Sequence, residues 1–137
     1  MPYYVIERLA LALDLRFGRP LRGAEILLVG VAYKRNVDDV RESPALKLTE
    51  LLEARGARVA FHDPLISEIP STREFAHLAG RQSIPLDAET LARSAATLIV
   101  TDHDAIDYGR IVAHAPLIVD TRNACGRAGF SSETILT

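Results

Sequence analysis

Ile26-Leu27-Leu28-Val29-Gly30-Val31-Ala32-Tyr33-Lys34-Arg35-Asn36-Val37-Asp38-Asp39-Val40-Arg41-Glu42-Ser43-Pro44-Ala45 is the stretch on which the fold of this chain turns. A continuous apolar run passes Gly30, gives way to a polar loop, and meets Ser43-Pro44, where a serine able to cap free amides precedes a proline suited to a first helical turn. The stretch reads as strand, ligand loop and helix. Unbroken hydrophobicity over Ile26–Val31 marks a strand buried on both faces, at the centre of a parallel sheet. Leu48, Leu51 and Leu52 carry the core stripe of the helix, and Arg55-Gly56 stops it.

Upstream, Tyr3 to Phe17 lacks glycine and proline, and Val5, Leu9, Leu13 and Phe17 recur every four residues, with Ile6 and Ala10 widening the stripe. This predicts an amphipathic helix, with Pro2 in its first turn and Gly18-Arg19-Pro20 at its end. Leu11 and Leu15 fall outside the stripe. Either the helix is buried within this domain, or it packs on something outside the chain. Downstream, strands are expected at Arg58–His62, Ala95–Thr101 and Leu117–Asp120, the last in the chain, with a short edge strand at Ser83–Leu86. Helices are expected near Thr72–Leu78, at Asp87–Arg93 with Asp87 as cap, and as one or two turns within Asp102–Ala113. This alternation predicts an α/β fold: a doubly wound, Rossmann-like parallel sheet with helices on both faces, preceded by the helix of residues 1–20. Ligands then bind outside the carboxyl ends of the strands, where the loops Ala32–Ser43, His62–Leu65 and Thr121–Cys125 should converge with Thr101–Asp104 close by.

With 137 residues, the chain has room for one cored domain. Hydrophobic residues at 48% and charged residues at 25% are ordinary globular values that exclude disordered, collagen-like and disulfide-stapled classes. A formal charge of −2, with cations scattered along the chain, offers no basic field for nucleic acid, so none is expected as a partner. The apolar runs fall far short of the roughly 20 residues that span a bilayer, and no signal segment follows Met1, so no membrane partner is expected. One cysteine fits a reducing compartment, and cytoplasm is the expected location.

No Gly-x-Gly-x-x-Gly or Walker pattern follows Gly30, so the standard cradles for NAD and ATP are absent from the sequence. A loop of mixed charge stands in their place. Lys34 can meet a phosphate as a point charge, Arg41 can fork onto two phosphate oxygens, and Arg122, just past the Leu117–Asp120 strand, would face the same crevice. Together they suit a nucleotide diphosphate. The same residues equally suit a solvated loop in which Asp and Arg pair with each other, and Arg122 an ion pair with Asp120 or Asp102. Asp38 and Asp39 read as loop caps more than as an acid–base pair, and Asp63 as the Asp of an Asp-Pro turn more than as a ribose ligand. The four histidines share no metal-ligand spacing, so no metal is expected, and Cys125 lacks a base partner and reads as a bystander thiol.

Gly30-Val-Ala-Tyr-Lys34, Val37-Asp-Asp-Val-Arg-Glu-Ser-Pro-Ala45, His62-Asp-Pro64 and Val119-Asp-Thr-Arg-Asn123 resemble the C-terminal domain of the UDP-glucose/GDP-mannose dehydrogenase family. The wording is most similar to the bacterial branch acting on UDP-N-acetylglucosamine or UDP-N-acetylmannosamine for surface polysaccharides. The resemblance implies a parent with an N-terminal NAD-binding domain, a central helical domain and a C-terminal nucleotide-sugar-binding domain, oxidising the sugar C6 alcohol to a carboxylate with two NAD and a cysteine nucleophile. It places Tyr33 and Lys34 on the nucleotide sugar, with Lys34 at its phosphates; Arg122 would help hold the same ligand, and Arg41 would reach the NAD pyrophosphate across the domain cleft.

The chain departs from the family by lacking the NAD-binding domain, the central domain and the segment bearing the catalytic cysteine, a motif that Cys125 does not occupy. A fragment is therefore expected, with no catalytic residue of its own: residues 1–20 as a connector helix from the missing central domain, and 21–137 as the binding domain. The alternatives are a stand-alone UDP-binding module and a non-catalytic assembly piece that self-associates through the exposed helix.

Overall fold

Val5, Leu9 and Leu13 define a buried stripe on the first helix, α1 (Pro2–Phe17), as the four-residue recurrence requires, joined by Ile6 and Ala12. Leu11 and Leu15 lie off that stripe and are 58% and 73% exposed, beside exposed Tyr3 and Tyr4. Phe17, expected on the stripe, is 46% exposed, because α1 ends there and the chain turns away through Gly18 at φ +60°. The computed structural model describes residues 2–136, so Met1 and Thr137, the end residues of the two expected segments, lie outside the described residues.

The sheet has five parallel strands in the order β2-β1-β3-β4-β5: β1 (Glu25–Val29), β2 (Arg58–His62), β3 (Ala96–Ile99), β4 (Ile118–Asp120) and β5 (Ile135–Leu136). Strict alternation sorts the strand side chains. Ile26, Leu28 and Leu98 face one core with Leu9 and Leu13 of α1 and Leu46 and Leu52 of α2 (Pro44–Ala54). Leu27, Val29, Ile99 and Ile118 face the other, with Leu91 of α3 (Ala88–Arg93), Ile111 of α4 (Tyr108–His114) and Cys125 of α5 (Ala124–Arg127). The doubly wound architecture is thus present, and its strand order reverses between β1 and β3. The expected caps form: Ser43 Oγ accepts the Ala45 amide at the start of α2, and Asp87 accepts Thr90 N at the start of α3.

Four expectations fail locally. Ser83–Leu86 forms no strand; Ile84 N donates one bond to Phe61 O, and Pro85 then has no N–H with which to continue the ladder. Thr72–Leu78 yields only a 3₁₀ turn at Ala76–Leu78: Thr72 Oγ1 caps the Phe75 amide, but Phe75 stands at φ −125° and ψ 39°, outside the helical range, so no helix runs on from the cap. Leu117–Asp120 does not hold the last strand: Ile135–Leu136 adds β5, anchored where Ile118 N donates to Thr134 O. Finally, the expected loop Thr121–Cys125 runs into α5 at Ala124.

Candidate functional site

Gly30 leaves β1 at φ +85°, a conformation open to glycine, and a Cβ there would lie 2.7 Å from the Thr101 backbone nitrogen. The close approach that this glycine permits is made by the chain leaving β3. Thr101 Oγ1 then donates to Ala32 O at 2.6 Å, fastening the start of the Tyr33–Glu42 loop to the end of β3 at the switch point. Further along, Asn36 N donates to His103 Nδ1, the Asn36 side chain exchanges two bonds with Asp104, and Arg35 donates to Asp102 through Nε at 3.1 Å and Nη2 at 2.7 Å. Asp63, past β2, accepts Val31 N at 2.8 Å and meets His103 Nε2 at 3.0 Å. The loops expected to converge therefore do so.

Tyr33 and Lys34 stand exposed on the loop between its Ala32 and Asn36 attachments. Arg41 is also exposed, but its guanidinium pairs with Asp39 at 2.7 Å, and the Arg41 amide donates to the same carboxylate. These side-chain and backbone bonds hold the Asp39 carboxyl down at about 2. For Arg41 the local Asp–Arg pairing read from the sequence is thus present. Arg122 takes neither ion pair envisaged for it. Its Nε donates to Val100 O at 3.1 Å, placing it at the end of β3, while its own amide caps onto Asp120. Asp120, buried, also accepts the Ala124 and Cys125 amides and so builds the turn after β4.

Asp63 is a turn residue. Its side chain is fully buried, with Oδ1 accepting Leu65 N and Oδ2 engaged by Val31 and His103, so it presents no surface to a ribose. Cys125 is fully buried, and burial, followed by the charge of Asp120, pushes its thiol up to about 12, which disfavours the thiolate. What sequence reasoning missed is a pair of arginines closing on one carboxylate: Arg127 joins Arg35 at Asp102 Oδ2. Burial raises the Asp102 carboxyl, but the bonds from Arg35 and Arg127 outweigh it and hold the group below the ordinary carboxylate range. Arg35 was legible as a neighbour of Lys34; Arg127 lay in a segment with no periodic signal.

Hollows lie along this edge, including one of about 460 Å³ beside Glu42 and Ser43 at the start of α2. Another, of about 340 Å³, lies beside Arg41, floored by Val40, Leu46 and Phe75, and a further one, of about 220 Å³, lies between Tyr108 and Arg127. The edge thus offers exposed Tyr33, Lys34, Arg41 and Arg122 around the switch point, an arrangement able to hold an extended anion bearing an aromatic or sugar group.

A UDP-glucose 6-dehydrogenase of Rhizobium meliloti is 32% identical over 111 residues, covering 77% of this chain and 24% of that relative. Among solved structures, a UDP-D-ManNAc dehydrogenase from Pyrococcus horikoshii superposes with a TM-score of 0.69 at 26% identity, over 90% of this chain and 27% of the other. An NDP-N-acetyl-D-galactosaminuronic acid dehydrogenase from Methanosarcina mazei, 20% identical, shares the fold at a TM-score of 0.73 over 98% of this chain and 28% of its own. The chain therefore spans about a quarter of the length of such relatives. The model of the UDP-glucose/GDP-mannose dehydrogenase family, UDP binding domain, matches residues 27–127, from β1 through α5, and the chain belongs to that family.

Proposed function

We propose that this chain is the nucleotide-sugar-binding domain of an NAD-dependent UDP-sugar 6-dehydrogenase that oxidises the C6 alcohol to a carboxylate, with the hydride-transfer machinery outside these residues. The observation that carries the reading is the Tyr33–Lys34 segment, held exposed at the switch point by the Ala32 and Asn36 attachments within a domain of this family. In this reading Lys34 meets the phosphates, Tyr33 packs on the nucleotide sugar, and Arg122 closes the same ligand from the end of β3. The domain binds and orients, terms worth several kcal/mol of barrier lowering in an assembled enzyme.

The residues present fit one contact to NAD and no more. Arg41 is an exposed cation able to face a pyrophosphate, but no glycine-rich turn on this chain cradles a dinucleotide. NAD, which supplies hydride acceptance when bound, is then held mainly by another domain. Residues 1–20 serve in this proposal as the connector to that part of the parent, supported by the exposed Leu11 and Leu15 on α1. The relatives' names, UDP-glucose for one and UDP-D-ManNAc for another, support the nucleotide-sugar class.

Calorimetry with UDP, a UDP-sugar and NAD tests the reading on the 137-residue chain. UDP and UDP-sugar are expected to bind, NAD to give no measurable heat, and Lys34→Ala to weaken UDP by about tenfold, the loss of one charged contact. Absence of UDP binding at millimolar ligand, or unchanged affinity in Lys34→Ala, would overturn it.

A further inference from the structure

His103 has no exposed surface, yet both of its ring nitrogens are engaged, and they reach different parts of the molecule. Nδ1 accepts the Asn36 amide at 2.8 Å. That bond fixes the tautomer: Nδ1 carries no proton, so Nε2 carries it and donates to Asp63 Oδ2 at 3.0 Å. The same Asp63 oxygen accepts Val31 N, one residue past Gly30. A continuous line of hydrogen bonds thus runs from the end of β2, past the end of β1, through a residue following β3, and out to the middle of the Tyr33–Glu42 loop. The His103 backbone is itself held by Tyr108, whose hydroxyl donates to His103 O at 2.8 Å.

We propose that His103 is the positioning residue that sets the Tyr33–Lys34 segment for its ligand, acting through the Asn36 amide; for the ligand itself, the inference rests on the function proposed above. Asn36 sits at φ +60°, a left-handed conformation that costs a non-glycine residue energy and persists where its surroundings dictate it. Tyr33 and Lys34 lie between that residue and Ala32, so fixing both ends leaves the backbone between them little freedom. The other ties on the loop's outer side, Asn36 to Asp104 and Arg35 to Asp102, are exposed or use a half-exposed guanidinium, where water competes. The His103 bond starts from a ring with no solvent access and, of these ties at Arg35 and Asn36, is the one that water replaces least readily.

Side-chain geometry separates the two ring nitrogens. His103→Gln keeps a donor near the Nε2 position for Asp63 and gives up the acceptor near Nδ1; His103→Asn does the reverse. Asn36→Gly tolerates the positive φ, keeps the amide and removes both Asp104 bonds. Hydrogen exchange at the residue 36 amide of the ligand-free chain, with UDP titrations of the same variants, gives the test. In His103→Gln the amide is expected to lose protection by about tenfold and UDP to weaken by roughly three- to tenfold, the worth of one hydrogen bond. His103→Asn, though the less stable variant because it strips a donor from the buried Asp63 carboxylate, is expected to keep both near wild type, as is Asn36→Gly. A general loss of packing would order the effects by stability instead.

Wild-type protection and affinity in His103→Gln would overturn the proposal, and so would His103→Asn losing both as fully as His103→Gln. If His103→Asn does not fold, His103→Gln against Asn36→Gly decides alone. Should the wild-type chain bind no UDP while the exchange pattern appears as expected, the functional reading fails and the positioning role stands.

Discussion

Thr97 stands in the middle of β3 with no exposed surface, flanked by Leu27 on β1 and Ile118 on β4, and its Oγ1 has no hydrogen-bond partner. A hydroxyl in that position has given up water and gained nothing in return. Thr97→Val replaces it with a methyl of similar size among neighbours that are already apolar. We expect the variant to be more stable by about 1 kcal/mol, read as a rise in the denaturant midpoint without a change in slope. Gly30 shows the opposite constraint, since its positive φ and the adjacent Thr101 backbone leave no room for any side chain.

At the scale of the element, α1 separates two kinds of apolar residue that composition alone treats alike. Leu9 and Leu13 are fully buried against the sheet and α2, whereas Leu11 and Leu15 face out. Leu13→Ala is therefore expected to cost about 2–5 kcal/mol, through lost burial and the cavity left behind. Leu11→Lys and Leu15→Lys should each change stability by less than about 0.5 kcal/mol, since neither removes a buried contact. Chemical denaturation of the three variants checks this; equal losses at Leu11 and Leu13 would contradict the packing described for α1.

Across the whole molecule, Asp102 ties the Tyr33–Glu42 loop, through Arg35, to the segment after β4, through Arg127. Its carboxyl is held below its ordinary value in the fold, so the stability it contributes is present above the unfolded value, near pH 4, and is lost as pH falls through the lower folded value. Asp102→Asn should thus be less stable at pH 7 by about 1–2 kcal/mol, a figure discounted because both guanidiniums are half exposed. That deficit should shrink below about pH 4, as urea melts of both proteins across pH 3–7 would record. A deficit independent of pH would mean that shape, not charge, does the bridging.

Much of this organisation was legible from local pattern. Hydrophobic period and capping chemistry act over a few neighbouring residues, so the sequence by itself determined α1, β1 to β4, the Ser43 and Asp87 caps, the doubly wound class and the set of loops at the carboxyl edge. It did not determine β5, whose two residues are too few to show alternation, or the failure of Ser83–Leu86, where one proline outweighed an apolar signal. Nor could it assign partners. Arg41 chose Asp39 two residues away, while Asp102 drew arginines 67 and 25 positions distant, and His103 joined Asp63 to Asn36. Which charges meet and which side chains lose water depend on strand order and register, and those exist only once the chain has folded.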